Sequence, residues 1–193
     1  NFTMVKMNFV DSAGAFNTAV SLNPQVISCS WGGDKRLGPL SGNDLVLSAA
    51  IANAVSSGIT VVFAAGNGQW GFPGQHPDVI SAGGVYMDNL QQLQASNYAS
   101  GFQSNIFPGR RVPDACGLVG LRPKAAYIML PVEPSDDLDT QMGGGVFPNG
   151  DQTATNDGWA VFSGTSAAAP QLAGVCALIK QIKPNLTPST IRK

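Results

Sequence analysis

Ser163 to Pro170 reads SGTSAAAP, between a strand-like WAVF and a long apolar helical pattern. A serine held where a tight turn enters a helix has an exposed hydroxyl, sits at the positive end of the helix dipole, and offers a backbone N–H to a developing oxyanion. Ser166 fits that role, and Gly164, Ala167, Ala168 and Ala169 are small enough for a carbonyl and neighbouring backbone to come close. The octamer by itself would also suit an ordinary serine-rich helix start. A second group is Asn67, in AAGN, which follows an apolar run and a glycine. That position is the carboxyl end of a strand, where open α/β sheets gather their sites. A lone asparagine there serves equally as a turn residue, but with Ser166 it completes the pair of donors that a tetrahedral intermediate needs. Acid–base partners are scarce: the chain has one histidine, His76, in the loop GQHPD, and one glutamate, Glu133. Without a base, a serine hydroxyl is a poor nucleophile at neutral pH because almost none of it is ionised.

These residues need a frame. Thr3 to Val10 alternates and ends strand-like, Asp11 to Gly14 reads as a turn, and Ala15 to Leu22 as a short helix stopped by Asn23 and Pro24. Val26 to Ser30 is a short apolar strand, followed by a Gly32-Gly33 loop. Leu47, Ala50, Ile51, Ala54 and Val55 fall at helical spacing, with Ser41 or Asn43 as cap and Gly58 just past the end. Ile59 to Ala65 reads as a buried strand and Val79 to Val85 as another. Alternation of strands and helices predicts an α/β fold, a mostly parallel sheet flanked by helices on both faces, with residues 1–193 as one domain. Strand-like pieces recur at Ala125 to Val132 and Trp159 to Phe162, and Glu133 to Gly158 reads as a polar surface excursion. From Ser163 to Lys183 a helix is expected, with Leu172, Val175, Ile179 and Ile182 as its apolar stripe and Lys180 and Lys183 favoured by the dipole at its end.

Composition excludes several classes. The chain has 193 residues, 44% of them hydrophobic, and its formal net charge of −1 creates no field for nucleic acid or anionic lipid. The longest apolar run falls short of the roughly 20 residues that cross a bilayer, so no membrane partner is expected. Cys29, Cys116 and Cys176 show no CxxC spacing, and Cys29 and Cys176 lie in apolar patterns that suit buried free thiols.

Taken together, ISCSWGG at Ile27 to Gly33, AAGN at Ala64 to Asn67, GFPGQHPDVISAGGV at Gly71 to Val85 and SGTSAAAP at Ser163 to Pro170 resemble the subtilisin-like serine peptidases, the subtilases, in the family's order and over nearly the whole chain. The resemblance implies a secreted-type serine endopeptidase that cuts peptides or proteins through an acyl-enzyme. By it, Ser166 is the nucleophile and Asn67 the oxyanion donor. Ser30, Trp31 and Gly32 would pair with the substrate backbone, and Ala64, Ala65 and Gly66 would line the pocket for the side chain before the cut. Trp31 would add a large apolar wall. Such chemistry requires no cofactor, although a structural calcium or a weak monovalent cation on the carbonyls of Gly74, His76 and Val79 would be in keeping with the family. The acidic cluster Asp136, Asp137 and Asp139 offers hard-cation ligands too, but its spacing matches no EF-hand and a solvated loop is the simpler reading.

The chain departs from the family in one respect. Subtilases draw their acid and base from an Asp motif and a His motif near the start of the domain, and neither is present; His76 matches a non-catalytic position. The opening TMVKMNFVDSAG resembles the strand after the histidine helix, so the sequence is expected to be the C-terminal part of a catalytic domain, inactive alone, with Asp and His on an N-terminal segment or a separate chain. Two rival readings exist. The sedolisins share the fold and strings such as SWGG, VPD at Val112 to Asp114, and GTSAxAP, but place an aspartate where Asn67 stands. A non-catalytic subtilase-like protein would keep the groove and bind peptides with Ser166 as a relic.

Overall fold

The computed structural model of the protein describes residues 1–122, 128–145 and 150–193. Asp11 accepts the N–H of Gly14 at 2.8 Å and caps helix α1 (Ser12–Ser21), which starts three residues before the apolar spacing predicts. Strand β1 (Val26–Cys29), helix α2 (Asn43–Ser56), and strands β2 (Thr60–Ala64), β3 (Ile80–Met87), β4 (Leu93–Ala95) and β5 (Ala115–Leu118) follow. β1, β2, β3 and β5 lie side by side and parallel: Ile27 faces Val61, Ala64 faces Ala82, and Ala82 faces Ala115. β4 returns antiparallel along the end of β3. Strand β6 (Ile128–Pro131) pairs antiparallel with β7 (Trp159–Phe162), with helix α3 (Asp137–Met142) between them in sequence; helices α4 (Thr165–Ile182) and α5 (Pro188–Arg192) complete the order.

Every residue of β2 is buried, and its period-2 alternation divides the core. Val61 and Phe63 join Phe16, Leu47 and Ile51 from α1 and α2 on one face. Val62 and Ala64 join Ala168, Ala169, Ala173 and Cys176 of α4 on the other. Helices therefore cover both faces of a parallel sheet, the α/β architecture that the element order predicts. Burial of each large side chain on β2 contributes about 1.5–3 kcal/mol. The α4 face is built from small residues, so helix and sheet approach closely. At Gly117 of β5 an added Cβ would lie 2.9 Å from the Ala168 Cα.

Several expectations change. Thr3 to Val10 forms no strand; Phe2, Met4, Phe9 and Val10 are exposed, and no described strand pairs with the segment, so its alternation has no ladder to join. Gly42, at φ 54, is the N-cap of α2 and has no side chain to cap with; Asn43 is the first helical residue and its Nδ2 donates to the Val10 carbonyl. Gly58 does end α2 in the left-handed region. The stripe expected on α4 holds only in part: Leu172 packs on the core and Ile179 is half-buried, but Val175 and Ile182 are exposed, and the buried face runs through Ala169, Ala173, Cys176 and Lys180. Close packing selects small side chains there, which a hydrophobicity pattern does not detect. The ammonium of Lys180 is buried as well and donates to the carbonyls of Leu186 at 2.7 Å and Gly58 at 3.4 Å. Cys29 and Cys176 are free buried thiols, with Cys29 pushed far up in pKa by burial.

The described parts of the excursion, 133–145 and 150–158, are tied by local hydrogen bonds. Asp136 caps α3 by accepting the Leu138 N–H, and Asp139, fully buried, accepts from Ser135 and Gly158 N–H groups. The acids expected as a loop or a cation cluster thus staple the chain to itself, and no group of three or more metal-ligating side chains occurs among the described residues. Ala125 to Tyr127 of the strand expected at 125–132 lie outside the described residues.

Candidate active site

The first turn of α4 carries an unusual set of bonds. Pro170 has no N–H, so the carbonyl of Ser166, four residues before it, loses its helical partner. Ser30 fills the gap: its Oγ donates to the Ser166 carbonyl at 2.7 Å, and Ser166 Oγ donates back to the Ser30 carbonyl at 2.9 Å. Two segments 136 residues apart are joined by this reciprocal pair. The Ser166 backbone N–H, in the first helical turn, has no intrahelical acceptor.

Asn67 lies against the same turn. Its Oδ1 accepts the Thr165 N–H at 2.9 Å and the Thr165 hydroxyl at 3.2 Å, while Thr165 Oγ1 accepts the Gly66 N–H at 3.0 Å. With Oδ1 committed, the amide orientation is fixed and Nδ2 is the end left to donate. Gly164 makes this approach possible: at φ 98 it adopts a conformation that side chains resist, and an added Cβ would stand 2.9 Å from Asn67 Nδ2. Thr165 was not singled out from sequence, although a fully buried hydroxyl between a glycine and the candidate serine must find partners. Tyr98 was also missed. Its hydroxyl accepts from the N–H groups of Gly164 and Gly120 and contacts Ser163 Oγ, tying the loop after β4 to this turn.

Not every expected residue joins the cluster. Trp31 packs edge-on against Phe63, ring centroids 5.0 Å apart, and covers the α1/α2 core. Gly32 lies under the Phe72 carbonyl, which an added Cβ would meet at 2.9 Å. Ala64 and Ala65 are buried beneath the loop from Gly71 to Gly74, and only Gly66 of that trio is partly open. Beside Asn67 a cleft of about 480 Å³ opens between residues 67–70 and 97–102.

His76 sits elsewhere. It is buried, its Nδ1 accepts the Asp78 N–H, its Nε2 bonds Ser48 Oγ at 3.1 Å, and its ring meets Phe107. Burial holds its pKa below the usual histidine value. These partners occupy both ring nitrogens, and none belongs to the Ser166 cluster. Of the three carbonyls named for a cation, that of Val79 accepts from Arg110 Nη2 at 3.4 Å. Arg110 is gripped by both oxygens of Asp114, the aspartate of VPD, at 2.5 and 2.6 Å.

The parallel sheet, covered by helices on both faces, thus carries at its carboxyl edge a serine turn with a fixed amide against it. The Subtilase family model matches residues 5–193, and the chain belongs to this family of serine proteases. A Deinococcus radiodurans protein described as a probable subtilase-type serine protease is 31% identical over 177 residues, 90% of this chain and 20% of that protein. Alkaline elastase YaB of a Bacillus strain is 27% identical over 155 residues, 79% of this chain and 30% of the elastase. The chain thus spans a third or less of either relative. Among solved structures, fervidolysin from Fervidobacterium pennivorans superimposes with a TM-score of 0.66 at 21% identity, over 94% of this chain and 24% of that one. Sphericase gives 0.63 at 20% identity, over 96% and 54%. These two likenesses concern the fold.

Proposed function

We propose that this chain is the nucleophile-bearing part of a serine endopeptidase acting on peptides or proteins. The observation that carries the reading is the turn itself: Ser166 at the head of α4, locked to Ser30, with the Asn67 amide oriented by Thr165. Ser166 Oγ attacks the scissile carbonyl carbon and its proton passes to an imidazole. The oxyanion is held by Asn67 Nδ2 and the Ser166 N–H. Collapse expels the amine, which takes the proton back, and water then releases the acyl group from the serine ester. The acyl side of the substrate runs along Ser30 to Gly32 as an added strand, with Ala64 to Gly66 beneath its reactive side chain. None of these steps needs a cofactor.

The imidazole comes from outside this sequence. His76 is the sole histidine and both its nitrogens are engaged away from Ser166. In its absence the Ser166 proton rests on the Ser30 carbonyl, which is far too weak a base to remove it. The test uses the protein as its natural gene encodes it, with a peptide p-nitroanilide. Steady release of nitroaniline is expected, and Ser166→Ala should abolish it while leaving the circular dichroism spectrum unchanged. Undiminished hydrolysis by Ser166→Ala would remove Ser166 from the chemistry.

A further inference from the structure

The cleft beside Asn67 shares that residue with the proposed site and includes none of Ser30 to Gly32 or Ala64 to Gly66. One wall is Tyr98, whose hydroxyl is bonded to the N–H groups of Gly164 and Gly120, so the ring is fixed relative to the serine turn. Two further aromatic rings line the cleft, Trp70 and Phe102, with centroids 4.5 Å apart. At the rim stands Arg122. Its backbone is clamped to Asn97 by a reciprocal pair, Arg122 N–H to Asn97 Oδ1 at 2.9 Å and Asn97 Nδ2 to the Arg122 carbonyl at 2.8 Å. Its guanidinium lies 5.6 Å from the centre of the Tyr98 ring. On the other side Arg36 stacks over Trp70 at 5.3 Å.

Neither arginine has a carboxylate partner among the described residues, and no Asp or Glu lines the cleft. Asp34 is the acid bonded to this wall, and it directs Oδ1 to the Trp70 N–H. In a chain of net charge −1, two unpaired guanidiniums flanking one cleft form a local positive site. A stacked arginine keeps its planar fork free for two parallel bonds to a carboxylate, and the stack removes part of the ordering cost that a free side chain would bear.

We infer that this cleft receives the residues that follow the scissile bond, and that Arg122 selects an acidic side chain at one of the first two of them. The inference rests on the peptidase reading above. The oxyanion donors fix the reacting carbonyl at Asn67, the acyl side occupies Ser30 to Gly32, and the amine side leaves across the other border of Asn67, into the cleft. The substrate class is therefore a peptide with Asp or Glu just after the cut.

Two measurements separate this inference from the reading beneath it. In the first, which needs no turnover, the 15N-labelled chain is titrated with the dipeptide amides Glu-Gly-NH2, Gln-Gly-NH2 and Lys-Gly-NH2 while the amide signals of Gly68, Ser100 and Gly101 are followed. The Glu peptide is expected to bind about 3- to 5-fold more tightly than the Gln peptide, and the Lys peptide least. Arg122→Gln removes the difference, Arg122→Lys retains part of it, and 0.5 M NaCl weakens it in the wild type. Equal binding of the three peptides, no binding at all, or an acid preference that survives Arg122→Gln would overturn the inference. In the second, the protein from its natural gene is given quenched peptides that differ only after the cut, and the same order in kcat/KM is expected. Cleavage of all peptides at equal rates would sink the acid preference and leave the peptidase reading standing. An acid preference in binding with no cleavage of any peptide would sink the peptidase reading and leave the cleft assignment standing.

Discussion

The turn at Ser163 to Ser166 and the excursion from Val132 to Gly158 are neighbours in sequence, yet they are held in opposite ways. At the turn, polar groups reach across the molecule: Ser166 to Ser30, Thr165 to Asn67 and Gly66, Gly164 to Tyr98. Among the described residues of the excursion they bond locally: Asp136 to Leu138, Asp139 to Ser135 and Gly158, Asp151 to Thr153, Asp157 to Ala154 and the adjoining Trp159. The charges differ too. From Ile128 to Phe162 the chain has six acidic residues and no Lys or Arg, whereas Arg36 and Arg122 flank the cleft beside the turn. The site is thus positioned by the sheet and α4, and the excursion is an appendage that folds on local bonds. Changes at the turn should alter chemistry and stability together, and changes in the excursion should alter stability alone.

The largest effect is expected at Asn67. Asn67→Ala in the active protein should lower turnover by about 10²–10³ with little change in KM, because the donor meets the oxyanion mainly in the transition state; the magnitude is the one measured for this donor in subtilisin itself and is carried over. A loss confined to KM would make Asn67 a ground-state contact and weaken the contrast. Next is Gly117→Val, which forces β5 from α4 at Ala168 and should cost about 3 kcal/mol in urea unfolding and reduce turnover as well. Full activity in that variant would mean that α4 does not hold the serine through the sheet.

Thr165→Val leaves the Gly66 N–H without its acceptor and removes one of the two bonds that Asn67 Oδ1 accepts, the one from the Thr165 backbone remaining, at a cost of about 1–3 kcal/mol of stability. Turnover should fall with it, by less than in Asn67→Ala. If stability falls while turnover is unchanged, the Thr165 hydroxyl does not orient Asn67 and the backbone bond suffices. The smallest effect belongs to the excursion: Asp136→Ala removes the cap of α3 for about 1 kcal/mol and should leave turnover at the wild-type value. A matching loss of activity would tie the excursion to the site and break the comparison.

Much of this was legible in the sequence, and the physical reasons for the failures are specific. Strands such as TVVFA are found from composition because burial on both faces demands an unbroken apolar run. SGTSAAAP and AAGN mark the place where the first turn of α4 meets Asn67, because close backbone approach requires small residues and those leave a signature. The missed features depend on partners distant in sequence. Nothing local to Thr165 reports that Gly66 and Asn67 face it, nor that Pro170 frees a carbonyl for Ser30. Nothing local to Trp31 reports that Phe63 meets its ring edge-on, since a large apolar residue beside a site suits a wall or a core cover. The stripe on α4 held at Leu172 but failed at Val175 and Ile182, which are exposed, because the helix buries alanines instead.

The central claim is that Ser166 is the nucleophile and that its imidazole is not in this sequence. It is tested most directly by treating the protein from its natural gene, and this 193-residue chain in parallel, with a fluorophosphonate and mapping the adduct by mass spectrometry. The account predicts an adduct on Ser166 in the natural protein and almost none on the isolated, folded chain. An adduct on a different serine, or equal labelling of Ser166 in the isolated chain, would contradict it.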